Sequence, residues 1–345
     1  MMLNNFWYAC EFSHLVTSKP RRITLFNQAI VLYRNALGQV VALNDRCPHR
    51  GAALSLGTVE QDCIQCPYHG WEFRSDGACI EIPGNQPGIP IPPKAHIDSY
   101  FVQEKYGFVW VFWGKLSPED APPLPLLPDF PDSSWRPIYI DLTLDAHYGR
   151  LLENLTDPVH TSFVHANSFG SGMIYEPQSL ANDEVVLEAW GARSLLISKQ
   201  PTPKKGFYWK YIYSRTQQEV RVKTSFQMPN ILLQRIDFKF SLAECICLVP
   251  ISETKTAIKL ICFRNFLTHP WADGLFRKLN LKILQEDRTI VESQQPQVIS
   301  SDLSAELHVA GDALSVAYRK LLKKCFDMGW IVDPDRQTKR ETVRK

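Results

Sequence analysis

Two short groups of metal-binding side chains stand close together early in the chain, Cys47-Pro48-His49 and Cys66-Pro67-Tyr68-His69, separated by sixteen residues. Two thiolates and two imidazoles on paired loops can hold metal in two ways. They can close a tetrahedral zinc site, to which Cys63, three residues before Cys66, could add a thiolate. Alternatively they hold a [2Fe–2S] cluster, one iron taking both sulfurs and the other both ring nitrogens. Exchanging thiolate for neutral imidazole then raises the potential to roughly −150 to +300 mV. Pro48 and Pro67 set φ just after each cysteine, and Gly51, Gly57 and Gly70 let the backbone wrap around sulfur.

The flanking residues favour the cluster. Both cysteines are followed by proline, and the second group runs into Gly70-Trp71, a small residue and then an apolar cap over the metal. With HRG and YHGW flanks, the stretch resembles the Rieske signature CxH…CxxH. The resemblance implies Cys47, His49, Cys66 and His69 as cluster ligands and leaves Cys63 an unligated, buried thiol.

A second stretch with chemistry runs ENLTDPVHTSFVH, from Glu153 to His165. His160 and His165, five apart, would stand about 140° apart on an ideal helix, off a common face. They converge only where the helix is bulged or broken. Asp157-Pro158 supplies a reason, because the residue before proline is pushed out of α geometry. Otherwise they are two polar histidines near a helix end. An oxygen-activating mononuclear iron uses two histidines and one carboxylate on one face, leaving positions open. The third ligand is sought on a long amphipathic helix predicted over 271–292. Phe276, Leu279, Ile283, Ile290 and Gln294 share a stripe there, and Asp287 falls on it. A carboxylate on a buried face must be paired or metal-bound, so a buried ion pair with an arginine is the competing reading. Glu286 points about 100° away and reads as solvent-facing or rim.

With Cys47/His49/Cys66/His69, then Asn154-x2-Asp157-x2-His160-x4-His165, then EDRTIVESQ around Asp287, the chain resembles a Rieske non-heme iron oxygenase over nearly its whole length. The likeness is to terminal oxygenase α subunits of the vanillate O-demethylase, dicamba monooxygenase and caffeine demethylase branch. It implies an α+β fold: a small all-β Rieske [2Fe–2S] domain, then a helix-grip (START-like) catalytic domain whose antiparallel sheet curves around a long helix. It implies His160, His165 and Asp287 as ligands of one mononuclear Fe(II). It also implies a head-to-tail homotrimer, the cluster of one subunit serving the iron of the next. Asp157 would then accept a ring N–H from a neighbour's cluster histidine and from its own His160, the orienting role carboxylates take behind ligating imidazoles. Asn154 matches a position beside the iron; a helix-turn hydrogen bond is the alternative. The implied activity is hydroxylation or oxidative dealkylation of a small organic substrate by O2, with monooxygenation favoured over dihydroxylation. Electrons would come from a ferredoxin or a flavin reductase. A Rieske electron carrier with a non-catalytic ligand-binding domain is the competing reading.

These sites need elements to hold them. Residues 22–46 read as strands around a turn at Asn35-Ala36-Leu37-Gly38. Asp76-Gly77 marks a hairpin tip, 85–93 a loop, and 105–113 a buried strand rich in Val and Trp. Seven prolines between 117 and 137 make a semi-rigid connector, so the domains are expected to be 1–130 and 131–345. The second opens with a strand at 138–144 and a helix from about Ala146. Strand-like runs follow at 185–187, 195–197, 208–213, 231–236 and 257–263, then the long helix and a shorter one at 313–325. Phe169, Met173, Trp190, Phe207, Trp209, Phe226, Met228 and Ile231 offer walls for a hydrophobic, aromatic or heterocyclic substrate, though such residues are more often core. Asn230 is a polar handle or a turn asparagine.

At 345 residues each of two domains can bury its own core. A net charge of +2, from 38 basic and 36 acidic residues, gives no electrostatic case for nucleic acid or an anionic membrane. The longest all-apolar run, 108–113, is far short of a membrane span, and the N-terminus lacks a signal peptide's charged and apolar regions. Nine scattered cysteines, some serving iron and kept reduced, make the expectation a cytoplasmic protein. The closing residues QTKRETVRK read as a solvated tail.

Overall fold

The computed structural model describes residues 2–170, 185–200, 218–300 and 302–332. The expected strand at 208–213 and the QTKRETVRK tail lie outside them, as do Met173, Phe207 and Trp209. The chain divides into two compact units. One is Asn4–Pro123 with Pro250–Ser252, and the other comprises the remainder.

The first unit is all β. Val102–Lys105, Phe108–Trp113 and Phe6–Phe12 form one antiparallel sheet; Ser99–Tyr100, Val40–Asn44, Gln28–Arg34 and Arg21–Leu25 form a second. Phe108–Trp113 is buried along nearly its whole length, as its unbroken apolar sequence FVWVFW requires. Residues 22–33 are two strands rather than one. Phe26 and Asn27, at φ 50° and 63°, make a two-residue turn between Leu25 and Gln28. Asn takes this left-handed region readily. Phe does not, and its ring is held edge-on against Tyr8, centroids 5.3 Å apart. A third sheet, Thr58–Glu60, Cys63–Gln65, Glu72–Phe73 and Cys79–Glu81, carries the second ligand loop between its middle strands.

The second unit is a seven-stranded sheet with helices. Its strands are β1 (Arg136–Leu144), β2 (Val186–Leu187), β3 (Gly191–Gln200), β4 (Gln218–Gln227), β5 (Ile231–Asp237), β6 (Ser241–Ser252) and β7 (Lys255–Arg264), in the order β1-β7-β6-β5-β4-β3-β2. β4 and β6 were not anticipated. β4, QEVRVKTSFQ, carries charge at alternate positions, and β6 contains Pro250, which argues against a strand when sequence alone is weighed. Among the described residues the α-helices are, in chain order, α1 (Tyr148–Thr156), α2 (His160–Val164), α3 (Asp273–Val291) and α4 (Ala313–Asp327). α4 packs on β3 and α1, and α3 on β1 and α1.

α3 starts where Asp273, in its first turn, meets Arg136 of β1 at 2.7 Å and Arg264 of β7 at 2.5 Å. Its hydrogen bond from Arg136, then that from Arg264, holds the Asp273 carboxyl down at about 2 despite partial burial. This anchor fixes the helix against the sheet, and about 21 Å further along, at 1.5 Å per residue, comes Asp287. The buried stripe is Phe276, Asn280, Leu284, Asp287 and Val291. Ile290, expected on it, is 44% exposed; the stripe follows the 4-4-3-4 spacing of the true helix repeat. Among the described residues no helix is long and apolar enough to cross a membrane.

Candidate metal centres and the enclosed cavity

The two ligand loops of the first unit close with one repeated pattern. The N–H of Cys47 donates to the carbonyl of Ala52 at 2.8 Å, and that of Gly51 to Cys47 at 2.9 Å. The N–H of Cys66 donates to Trp71 at 2.8 Å, and that of Gly70 to Cys66 at 3.0 Å. Closing such a turn puts Gly51 and Gly70 at φ 75° and 70°, which strains any residue with a Cβ. Gly57 is needed for another reason: a Cβ there would lie 2.0 Å from the Gln65 carbonyl oxygen.

Both cysteines are buried and both histidines exposed. The imidazoles of His49 and His69 stand 4.5 Å apart, and Trp71 stacks on His49 at 4.7 Å with planes 5° apart. Burial pushes the Cys47 thiol up to about 11; the main-chain N–H of His49 opposes this and the Cys66 thiol beside it adds to it. Two adjacent thiols inside and two imidazoles outside fit a [2Fe–2S] cluster ligated by sulfur on one iron and nitrogen on the other. Cys63 is half-buried rather than buried. Burial, then the charges of Glu72 and Asp62, raises its thiol pKa.

In the second unit the chain breaks between α1 and α2. Asp157 caps α1 in an extended conformation, φ −86° and ψ 115°, as a residue before proline prefers. α2 then begins at His160, and His165 sits just past its end. The interruption turns both rings onto Asp287. The Nε2 of His165 lies 3.2 Å and that of His160 3.5 Å from Oδ1 of Asp287. One donor atom from each residue falls within 4.8 Å of the others. The opposite ring nitrogens are occupied. His160 Nδ1 lies 2.5 Å from the main-chain carbonyl of Asp157, and His165 Nδ1 lies 2.8 Å from Oε2 of Glu286. A carbonyl and a carboxylate only accept, so each Nδ1 carries the hydrogen, and the neutral ring can offer its Nε2 lone pair to a metal. That is the tautomer a metal-ligating histidine needs. Asn154 Nδ2 donates to the same Asp287 Oδ1 at 3.0 Å. The arginine alternative is absent: among the described residues the partners of Asp287 are two histidines and an amide.

Burial penalises the charge on Asp287, yet the contacts from His160 and His165 outweigh it and hold the carboxyl well below its usual range. Burial likewise opposes a charged His165, but Asp287 and then Glu286 raise its pKa. Burial raises Asp157, against the pull of the Val159 N–H. Its carboxylate oxygen accepts that N–H at 2.7 Å. The contact with the His160 ring comes from the Asp157 carbonyl, not from the side chain as expected.

Glu286 is the residue that the sequence reading placed at the rim. It accepts from His165 and, at 2.7 Å, from Ser168 Oγ, and is largely covered. A heptad stripe cannot show this, because the contact is made across α3 to a different segment.

Beside the three converging side chains lies a cavity of about 130 Å³. Phe169 lines it and stacks on His165 at 4.8 Å. Phe226, Met228 and Ile231 belong to the core instead, Asn230 is fully buried, and Trp190 stacks on Trp330. Most of the wall comes from the sheet. Register places Leu196, Val222, Ile236 and Leu242 in one transverse row and Ser194, Thr224, Gln234 and Glu244 in the next, and all eight face the cavity. Leu279, Asn280 and Ile283 of α3 close the other side.

Comparison with known proteins agrees with both halves. Residues 5–101 match the Rieske [2Fe–2S] domain, and 144–328 match the vanillate O-demethylase oxygenase C-terminal domain. The chain belongs to the Rieske non-heme iron terminal oxygenases, with a C-terminal domain of the vanillate O-demethylase oxygenase type. It is 30% identical to the chloroplastic chlorophyllide a oxygenase of Arabidopsis thaliana over 95% of this chain, and spans only 58% of that protein's length. It is 28% identical to the methylxanthine N1-demethylase NdmA of Pseudomonas putida, over 93% of this chain and 89% of that one. A structure of NdmA with theobromine superposes with TM-score 0.73 at 26% identity, covering 92% of this chain and 88% of the other. Dicamba monooxygenase bound to dicamba shares the fold, with TM-score 0.79 at 23% identity over 95% and 98% of the two chains.

Proposed function

We propose that this chain is an oxygenase that uses O2 and externally supplied electrons to hydroxylate or oxidatively dealkylate a small hydrophobic, aromatic or heterocyclic compound. The observation that carries this reading is the pair of imidazoles with Nδ1 spent outward and Nε2 aimed at one carboxylate oxygen, at the edge of a cavity between the sheet and α3. In this reading His160, His165 and Asp287 hold the mononuclear Fe(II). Cys47, His49, Cys66 and His69 hold the [2Fe–2S] cluster. Residues 1–130 serve the cluster and 131–345 the iron. When bound, the two centres supply electron delivery and oxygen activation.

The chain's own residues do the positioning. The Asp157 carbonyl and Glu286 fix the two ring tautomers, and Asn154 steers Oδ1 of Asp287. The apolar row and Phe169 exclude water and take up a ring. The cavity is close in size to the about 150 Å³ engineered cavity that admits benzene. Relatives named as a methylxanthine N1-demethylase and an aminopyrrolnitrin oxygenase support a ring-bearing substrate. Homotrimer assembly, a ferredoxin or flavin reductase as donor, and a reducing cytoplasmic setting complete the reading. The thiolate ligation proposed for Cys47 and Cys66 needs reduced cysteines, which supports the last.

Two measurements test this. Metal analysis should return three irons per chain, two in the cluster and one alone; an electron carrier would hold two. Oxygen uptake should rise when a turnover substrate from a panel of small aromatic and heterocyclic compounds is added. Glu286→Gln should weaken the mononuclear iron by about 10- to 100-fold, because it removes the charged acceptor behind His165. An unchanged iron affinity in that variant would deny Glu286 the orienting role.

A further inference from the structure

The polar row of the sheet ends at Glu244, on β6, and this carboxyl has no visible purpose in holding the fold together. Protein encloses it deeply, yet part of its surface stays accessible from the cavity. Among the described residues no hydrogen bond or ion pair reaches it. Its neighbour across the strand pair, Gln234, spends an amide N–H on Thr224 Oγ1 at 3.2 Å. On the facing helix, Asn280 Nδ2 donates to the Phe276 carbonyl at 2.9 Å. Enclosed carboxyl groups are costly unless paired. The charges that act on it, Asp287 and His165, line the same cavity without bonding to it, and the cavity is the open place for a partner.

We propose that the partner is the substrate, so that Glu244 selects compounds carrying an N–H or O–H donor on an apolar ring and rejects those carrying a carboxylate or sulfonate. This rests on the oxygenase reading for the cavity's being the substrate site, and adds to it the chemical class of the ligand. The apolar row receives the ring while the adjacent polar row receives the donor. In either protonation state a carboxyl keeps acceptor lone pairs; burial, then the charge of Asp287, pushes this one up to about 7, so above that pH it is ionised and repels an anion. A site built around such an acceptor discriminates strongly, because an analogue without the donor leaves the enclosed group unpaired.

The test uses the full chain with both metals, kept anaerobic at about pH 8.5 so that Glu244 is ionised, and calorimetric titration with 4-methylphenol, 4-methylanisole and 4-methylbenzoate. The wild type should bind the phenol at least about tenfold more tightly than the anisole, as a hydrogen bond to a charged group requires, and the benzoate most weakly. Glu244→Leu should bring phenol and anisole within about twofold. Glu244→Gln, which still accepts through its amide oxygen but carries no charge, should keep the phenol preference and lose the rejection of benzoate. The proposal is overturned if the wild type binds benzoate as tightly as the phenol. It is equally overturned if none of the three binds, or if the preference survives Glu244→Leu in a variant with native circular dichroism. The oxygenase reading fails separately, on iron count and oxygen uptake, since binding is read without turnover.

Discussion

Asp287→Ala should abolish oxygen-dependent turnover while leaving the visible spectrum of the cluster unchanged. Asp287 supplies the only carboxylate oxygen within reach of both Nε2 atoms among the described residues, so alanine leaves two neutral imidazoles and no counter-charge for a divalent ion. Removing an orienting partner behind a ligand costs about 10- to 100-fold in affinity or activity; removing a ligand should exceed that, and iron should fall from three per chain towards two. The cluster loops belong to the other compact unit and have their own main-chain closure, so their absorption should persist. Asp287→Asn, close in shape, separates loss of charge from loss of packing. Turnover retained in either variant would remove Asp287 from the site.

Asp157→Ala should keep both metals and yet leave the reduced cluster unable to reoxidise once substrate and O2 are added. The structure makes this substitution unusually informative. His160 is held by the main-chain carbonyl of residue 157, which alanine retains, and Pro158 still enforces the helix break. What disappears is the carboxylate, whose visible partner is the Val159 N–H. If the side chain bridges to a cluster histidine of another subunit, single-turnover cluster oxidation should slow by at least about a hundredfold, the order a small misplacement of reacting groups can bring. If its role is only to cap the turn, the variant should lose stability or iron and leave the oxidation rate of the surviving holoenzyme undiminished. That second result would refute the bridge.

The donor sets proposed for both metals were legible because each is largely a local pattern. Cys-Pro-His and Cys-Pro-Tyr-His need only a tight turn to point their ligands together, and Asp157-Pro158 announces the break that lets two histidines five apart converge. Asp287 was findable because a carboxylate on an apolar helix stripe is an exception to burial rules. Other features had no such signature. The turn at Phe26-Asn27 places an aromatic in the left-handed region on the strength of its packing against Tyr8. Ile290 shows the same limit from the other side, since apolar residues flank a helix stripe as readily as they fill it.

Sequence alone determined the elements whose chemistry is written in short spacings: two ligand loops, a proline-broken helix and a carboxylate one long helix away. Only the tertiary structure decided what surrounds them. Glu286 meets His165 across 121 positions of chain, and Ser194, Thr224, Gln234 and Glu244 become one row solely because strand register sets them side by side. Spacing along a chain encodes contacts within a turn or a helix face. Contacts between distant segments depend on register and on helix rotation, and a shift of one residue in either would turn every one of those side chains away.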